Sequence, residues 1–118
     1  MQLSENIGQN SELYSSLKLE LVHSDNESIT IESDGKIELI AKALSSETRR
    51  SILHQIQISQ EGMDVSKLAA ILNMTEANIS AQIKKLEEAG LIDCDYCSGN
   101  HGVRKISKLK YCQVNITF

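Results

Sequence analysis

The segment CDYCSGNH, residues 94–101, holds side chains that could do chemistry directly. Cys94 and Cys97 have the Cys-x2-Cys spacing of a common zinc half-site. With His101 and Cys112 they form a set of three sulfur ligands and one imidazole, which suits zinc. The alternative is that this segment belongs to a β-hairpin whose thiols serve as small apolar groups.

Strand geometry favours the hairpin over a metal site. Residues three apart in a regular strand face opposite sides, so Cys94 and Cys97 would converge only if the strand bends. Gly99 and Gly102 permit a tight reversal between strands predicted over 91–96 and 103–109, with His101 in the loop. We therefore expect no cofactor. Zinc binding or thiol sensing by Cys94, Cys97, His101 and Cys112 is kept as the alternative.

A second group of side chains suits contact with double-stranded DNA. Ile79, Ile83 and Leu86 recur at helical spacing, which predicts that they form the buried side of one helix. Asn and Gln amides can pair with adenine edges, alanine can lie against a thymine methyl, and lysine suits phosphate. The start and exposed side of this helix supply such groups: Thr75, Glu76, Ala77, Asn78, Ser80, Ala81, Gln82, Lys84 and Lys85. An ordinary solvated helix face is the alternative.

The predicted hairpin adds local positive charge to a chain whose net charge is −4. Residues 1–44 carry three basic and eight acidic residues, whereas residues 45–118 carry nine and eight. Residues 98–112 hold four cations and no acid. Because the local field matters more for binding than the sum, we expect Arg104, Lys105 and His101 to contact DNA. A charged, solubilising strand edge is the alternative.

Four helices and several strands are predicted to position these groups. The predicted N-caps of the helices are Asp34, Ser46, Asp64 and Thr75. Gly62 is the predicted stop of the second helix, and Asn73-Met74 the tight turn before the fourth. Alternating apolar residues predict an N-terminal β-hairpin before residue 33 and a C-terminal strand after residue 111.

Two short helices joined by a tight turn and followed by a basic hairpin predict a winged helix-turn-helix, an α+β fold. We divide the chain into residues 1–33, a tail and hairpin that could dimerise, and residues 34–118, the winged helix-turn-helix with the C-terminal strand. The hairpin and that strand are expected to pair in one sheet, which either covers the first helix or builds a two-fold interface.

Three segments carry a family resemblance: ALSSETRRSILHQI, DVSKLAAILNMTEANISAQIKKLEEAGLI and HGVRKISKLKY. Over about residues 36–110 they resemble the arsenic-repressor (ArsR) family of transcriptional regulators, especially its short archaeal members. The resemblance implies a dimeric repressor that binds double-stranded DNA at an inverted-repeat operator. The positions of the family's Cys-x-Cys metal site hold Asp64 and Ser66, and a strand replaces the helix of its second metal site. Neither metal site is therefore expected.

Other classes of function have weaker support. Aromatic residues make up 3% of the chain, which argues against stacking on single-stranded nucleic acid. His23, His54 and His101 lack partners in a known catalytic arrangement, so we expect no enzyme. Neither a membrane span nor a signal segment is evident, so we expect a cytoplasmic protein. A winged-helix module that binds another protein is the alternative to DNA binding.

Overall fold

A computed structural model of the chain describes residues 14–99 and 102–118. Its elements are, in chain order, β1 (Tyr14–Val22), β2 (Ser28–Ser33), α1 (Asp34–Leu44), α2 (Glu47–Ser59), β3 (Met63–Asp64), α3 (Val65–Leu72), α4 (Glu76–Glu88), β4 (Ile92–Gly99), β5 (Gly102–Leu109) and β6 (Gln113–Thr117). The predicted α+β class is confirmed. The elements divide between two compact units, one comprising residues up to 41 with 111–118, and the other residues 42–110.

The first unit contains a three-stranded antiparallel sheet in the order β2–β1–β6. Leu21 of β1 pairs with Ile29 of β2 on one side and with Val114 of β6 on the other. The expectation that the N-terminal hairpin and the tail strand share one sheet is confirmed. The C-terminal strand thus lies in the same unit as the hairpin, whereas the sequence-based division groups it with residues 34–110.

The second unit packs α2, α3, α4 and a second sheet around an aliphatic core. Its fully buried apolar side chains are Ile52, Leu68, Ile79, Ile83, Leu86 and Ile92. The sheet has the order β3–β5–β4. The two-residue strand β3 was not predicted, because it is too short to show alternation; Met63 pairs with Ser107 of β5.

Among the described residues, side-chain caps begin three of the four helices where the sequence predicts. Each cap oxygen accepts the backbone N–H three residues later, which satisfies a donor that has no partner within the helix. The bonds are Arg49 N–H to Ser46 Oγ at 3.3 Å, Lys67 N–H to Asp64 Oδ1 at 2.7 Å, and Asn78 N–H to Thr75 Oγ1 at 3.1 Å.

The prediction that Gly62 stops the second helix is wrong. Helix α2 ends at Ser59, and the next residue, Gln60, has a positive φ of 63°. Gly62 (φ 91°) instead lies against β5, where a Cβ would come within 2.8 Å of the Ser107 carbonyl oxygen and the Ile106 Cγ2 atom. Glycine is required here for the close approach of this residue to β5 and for the positive φ.

None of the helices in the described part of the chain is long and apolar enough to cross a membrane.

Candidate nucleic-acid interface

Helix α4 has one face in the core and the other in solvent. Ile79, Ile83 and Leu86 have no accessible surface, which fixes the rotation of the helix about its axis. Eight of the nine contact residues predicted at the start and on the outer side of this helix are exposed: Thr75, Glu76, Ala77, Asn78, Ser80, Ala81, Lys84 and Lys85. The orientation predicted from the apolar spacing is therefore confirmed.

Three residues, 73–75, join α3 to α4. Asn73 ends α3 in the left-handed conformation with φ 54°, and the Met74 N–H donates to the Ala69 carbonyl at 2.9 Å. Thr75 then caps α4. Because Leu68 and Ala69 are buried, α3 is anchored in the core and holds the start of α4 at the surface.

Gln82 differs from the other predicted contacts of α4 because it is half-buried. Its Oε1 accepts a hydrogen bond from Arg49 Nη1 at 2.7 Å, and its Nε2 donates to Asn78 Oδ1 at 3.1 Å. Asn78 Nδ2 in turn donates to Met74 Sδ at 3.7 Å. Sequence reasoning missed Arg49, which lies 33 positions before Gln82, because no local pattern brings the two together.

Strands β4 and β5 form the predicted hairpin, which we call the wing. Their register is continuous from the Ile92–Leu109 pair to the Gly99–Gly102 pair. The loop residues Asn100 and His101 lie outside the described residues. The predicted roles of His101, as a DNA contact or a zinc ligand, therefore fall outside them as well.

The basic residues of the wing have acidic partners in space. The acids come from the start of α3, from α4 and from β4. Residues 98–112, which contain no acid themselves, therefore have carboxylates near them in the folded chain. The pairs are Arg104 with Asp64, Lys105 Nζ with Glu87 Oε1 at 3.5 Å, and Lys108 Nζ with Asp95 Oδ2 at 3.4 Å. Within the described residues, Lys84 and Lys85 of α4 form no ion pair.

Asp64 connects the wing to α3. Its Oδ1 accepts the Lys67 N–H, and its Oδ2 accepts two bonds from Arg104, the one from Nε at 2.9 Å. The backbone N–H of Lys67 and then the Arg104 guanidinium hold the pKa of the Asp64 carboxyl below its usual value, against the opposing effect of desolvation. The Arg104 side chain is still 60% exposed, whereas that of Asp64 is 15% exposed.

Two large side chains of the wing lie in solvent although they are apolar or aromatic. Tyr96 is 69% exposed and Val103 is 70% exposed. Tyr96 pairs with Lys105, and Val103 lies two residues before Lys105 on β5, so strand alternation puts all three on one face. Sequence reasoning missed these two residues. Their position near the chain reversal, away from the core, could have indicated that they are exposed.

Cys94 and Cys97 do not converge as the alternative of a zinc half-site requires. Strand β4 is regular, so Cys94 and Cys97 face opposite sides. Cys94 is half-buried with its Sγ 3.6 Å from Ser107 Oγ, and burial raises the pKa of its thiol. Cys97 and Cys112 are exposed, and all three cysteines are free. No group of three or more His, Cys, Asp or Glu side chains in the described ranges is placed to hold a metal ion.

Comparison with known proteins agrees with this geometry. Residues 44–95 match the sequence family described as "Helix-turn-helix domain". Residues 42–110 form a winged helix-turn-helix domain. A crystal structure of an ArsR family transcriptional regulator is similar at 28% sequence identity, over 63% of this chain and 75% of that one, with a TM-score of 0.51. No curated protein matches the sequence.

A second solved structure has the same winged helix-turn-helix fold. It is a "possible transcriptional regulatory protein (fragment 1-100)" from Mycobacterium bovis, which is 22% identical over 64% of this chain and 75% of its own, with a TM-score of 0.54. The chain is thus similar to helix-turn-helix regulators of the ArsR type. The resemblance to short archaeal members stays an expectation.

Proposed function

We propose that this chain is a sequence-specific, double-stranded DNA-binding transcriptional regulator of ArsR type, which acts as a homodimeric repressor at an inverted-repeat operator. One observation carries the proposal: the face of α4 opposite Ile79 and Ile83 is exposed and consists of small, amide and basic residues up to Lys85, with Glu88 at its end, within the same compact unit as the wing. In a helix-turn-helix, that face of the second helix enters the major groove. We call α4 the recognition helix.

The side chains of the recognition helix divide by the contact that each can make. Ala77, Asn78 and Ala81 lie on its exposed side in the first two turns, where the helix can approach base edges. Lys84 and Lys85 follow toward its C-terminal end and suit the phosphates that flank the groove. Because these two lysines have no acidic partner among the described residues, contact with DNA would not require an ion pair to break.

Arg104 is better placed on the wing than Lys105 to reach a phosphate. The Lys105 side chain is only 24% exposed and lies beside Glu87, whereas Arg104 is 60% exposed. An arginine has five donors and can keep one carboxylate partner while another N–H reaches a phosphate. Tyr96 and Val103 add apolar surface that suits sugar contacts at the groove edge.

Selection of bound sequences from a random duplex pool tests the proposal. We expect enriched sites with two half-sites in inverted repeat and an affinity that falls steeply with salt, because phosphate contacts release counterions. Lys84→Ala and Lys85→Ala should each reduce the salt slope by about 0.9. Lys36→Ala, an exposed lysine of α1, is the control and should leave the slope unchanged.

Failure to enrich any duplex, with no salt-dependent binding, would refute DNA recognition. It would favour the alternative of a winged-helix module that binds another protein. The ion pairs of the wing favour this alternative, because three of the wing cations already face carboxylates.

The homodimer is proposed to form through the sheet of the first unit. Strand β6 lies at one edge of this sheet, and its residues, Gln113–Thr117, carry no charge. Ile116 is 58% exposed and Phe118 is 97% exposed. An uncharged edge strand can pair with its own copy across a two-fold axis, which joins two sheets into one.

Light scattering of edge variants tests this interface. We expect the wild-type protein to be dimeric and Ile116→Lys to be monomeric, because a lysine on an edge strand opposes edge pairing. Ile29→Lys is the matched control, since Ile29 is an exposed isoleucine on β2 at the opposite edge of the same sheet. A dimeric Ile116→Lys would exclude β6 as the interface.

A further inference from the structure

Arg49 is held in place by the end of a neighbouring helix. Its Nε donates to the Ala43 carbonyl at 2.7 Å, and its Nη2 donates to the Lys42 carbonyl at 2.8 Å. Both carbonyls belong to the last turn of α1, and the Lys42 carbonyl also accepts the Ser45 N–H at 3.2 Å and the Ser45 Oγ–H at 2.7 Å. Because the guanidinium is planar and rigid, two such bonds fix the direction of its remaining nitrogen, Nη1.

That remaining nitrogen determines how the Gln82 amide is oriented. Arg49 Nη1 donates to Gln82 Oε1 at 2.7 Å. A guanidinium has only donors, so Gln82 must turn its oxygen toward Arg49 and its NH2 group away. The NH2 group meets Asn78 Oδ1 at 3.1 Å, one helical turn earlier.

The same logic extends to Asn78, which is exposed on the recognition helix. Its oxygen accepts from Gln82, so its own NH2 group points the other way, toward Met74 Sδ at 3.7 Å. Asn78 keeps one acceptor lone pair and one N–H for an outside partner. An asparagine that reads adenine uses one acceptor, for the N6 amino group, and one donor, for N7.

We infer that Arg49 is a positioning residue for base recognition: through Gln82 it orients the amide of Asn78, so that Asn78 reads one adenine in each half-site. The inference rests on the proposed DNA-binding function. An unconstrained amide can rotate by half a turn and exchange its donor and acceptor, whereas the bonded pair presents them in one order. Preorganisation of this kind also avoids part of the entropy loss on binding.

Arg50 provides a matched comparison on the same helix. Its Nη1 donates to the Leu44 carbonyl at 2.9 Å, at the same end of α1, and no described bond links it to the recognition helix. Loss of Arg50 therefore removes a guanidinium and a helix-end hydrogen bond, but leaves the bonded amides in place. An effect specific to Arg49→Ala must come from its bond to Gln82, its second helix-end bond or its deeper packing.

The test compares Arg49→Ala, Arg50→Ala and the wild-type protein on three duplexes. One carries the selected site, the second has the adenine assigned to Asn78 exchanged for thymine in each half-site, and the third has an unrelated sequence. We expect Arg49→Ala to lower the preference for the first duplex over the second by about 10-fold, within the range for one bidentate contact. Arg50→Ala should preserve that preference, and both variants should bind the unrelated duplex within about 3-fold of wild type.

NMR of the side-chain amides tests the same inference without DNA. The NH2 resonances of Gln82 and Asn78 should both shift in Arg49→Ala and stay in place in Arg50→Ala, with the Ile79 and Ile83 methyl resonances reporting that the core is intact. If the wild-type protein selects duplexes but Arg49→Ala keeps the full preference, or if the Asn78 amide does not respond, the positioning role is overturned. If the wild-type protein selects no duplex, the proposed function fails, and the reading role fails with it.

Discussion

Replacing Asp64 by asparagine separates the two contacts of this side chain. Oδ1 caps α3 through the Lys67 N–H at 2.7 Å, while Oδ2 pairs with Arg104 of the wing. Asparagine keeps an oxygen for the cap and removes the charge that binds Arg104. Alanine removes both contacts, so the two variants measure the cap and the ion pair independently.

The structure sets the expected magnitudes. Loss of an N-cap oxygen costs about 1 kcal/mol, and an ion pair to a largely exposed arginine contributes about 0.5 kcal/mol. Asp64→Asn should therefore lower the free energy of unfolding by about 0.5 kcal/mol, and Asp64→Ala by about 1.5 kcal/mol. For a protein of this size the corresponding drops in Tm are about 2 °C and about 6 °C.

The same substitution should strengthen DNA binding at low salt. In the wild-type protein the Asp64 carboxylate balances the charge of Arg104, so the contact of Arg104 with a phosphate releases few counterions. Asp64→Asn removes that carboxylate and should steepen the slope of log K against log salt by about 0.9. Fluorescence anisotropy with the selected duplex over a series of salt concentrations measures this slope. Adding Arg104→Ala to Asp64→Asn should remove the extra slope.

Two results would refute this reasoning. Equal unfolding free energies for Asp64→Asn and Asp64→Ala would mean that the cap does not stabilise α3. A salt slope for Asp64→Asn equal to that of the wild-type protein would mean that Arg104 does not face phosphate in the complex.

Three further predictions concern pH, packing and thiol reactivity. The folded pKa of Asp64 lies below its ordinary value of 3.8, so the ionised carboxylate contributes fully to stability above that pH, and the contribution is lost as the pH falls through the lowered pKa. On acidification, the free energy of urea unfolding should therefore decrease less in Asp64→Asn than in the wild-type protein. Gly62→Ala should lower the free energy of unfolding, measured by chemical denaturation, by about 3 kcal/mol, because a Cβ at this positive φ would lie 2.8 Å from the Ser107 carbonyl oxygen. Gly35→Ala is the control and should not destabilise, because the nearest atom to its Cβ would be 4.0 Å away. Cys97 should react with a thiol reagent before Cys94, whose pKa is raised by burial; equal rates in Cys94→Ser and Cys97→Ser would contradict the assigned exposures.

Local chemistry in the sequence was sufficient to predict the helical part of the candidate site. Helix starts depend on a cap residue and its next three neighbours, so Ser46, Asp64 and Thr75 identify them without knowledge of the fold. The rotation of α4 follows from the spacing of Ile79 and Ile83 alone, because one side of an amphipathic helix must be buried. The hairpin followed likewise from two glycines between alternating strands.

The tertiary structure alone decided which charged and polar groups meet. Arg104 and Asp64 are 40 positions apart, and Arg49 and Gln82 are 33 apart, so no periodic pattern relates them. The sequence from 98 to 112 holds four cations and no acid, but chain reversal brings carboxylates from β3, α4 and β4 to three of these cations. Periodicity predicts which side of an element is buried, whereas hydrogen bonds and ion pairs depend on distances between elements, and those distances exist only once the core has packed.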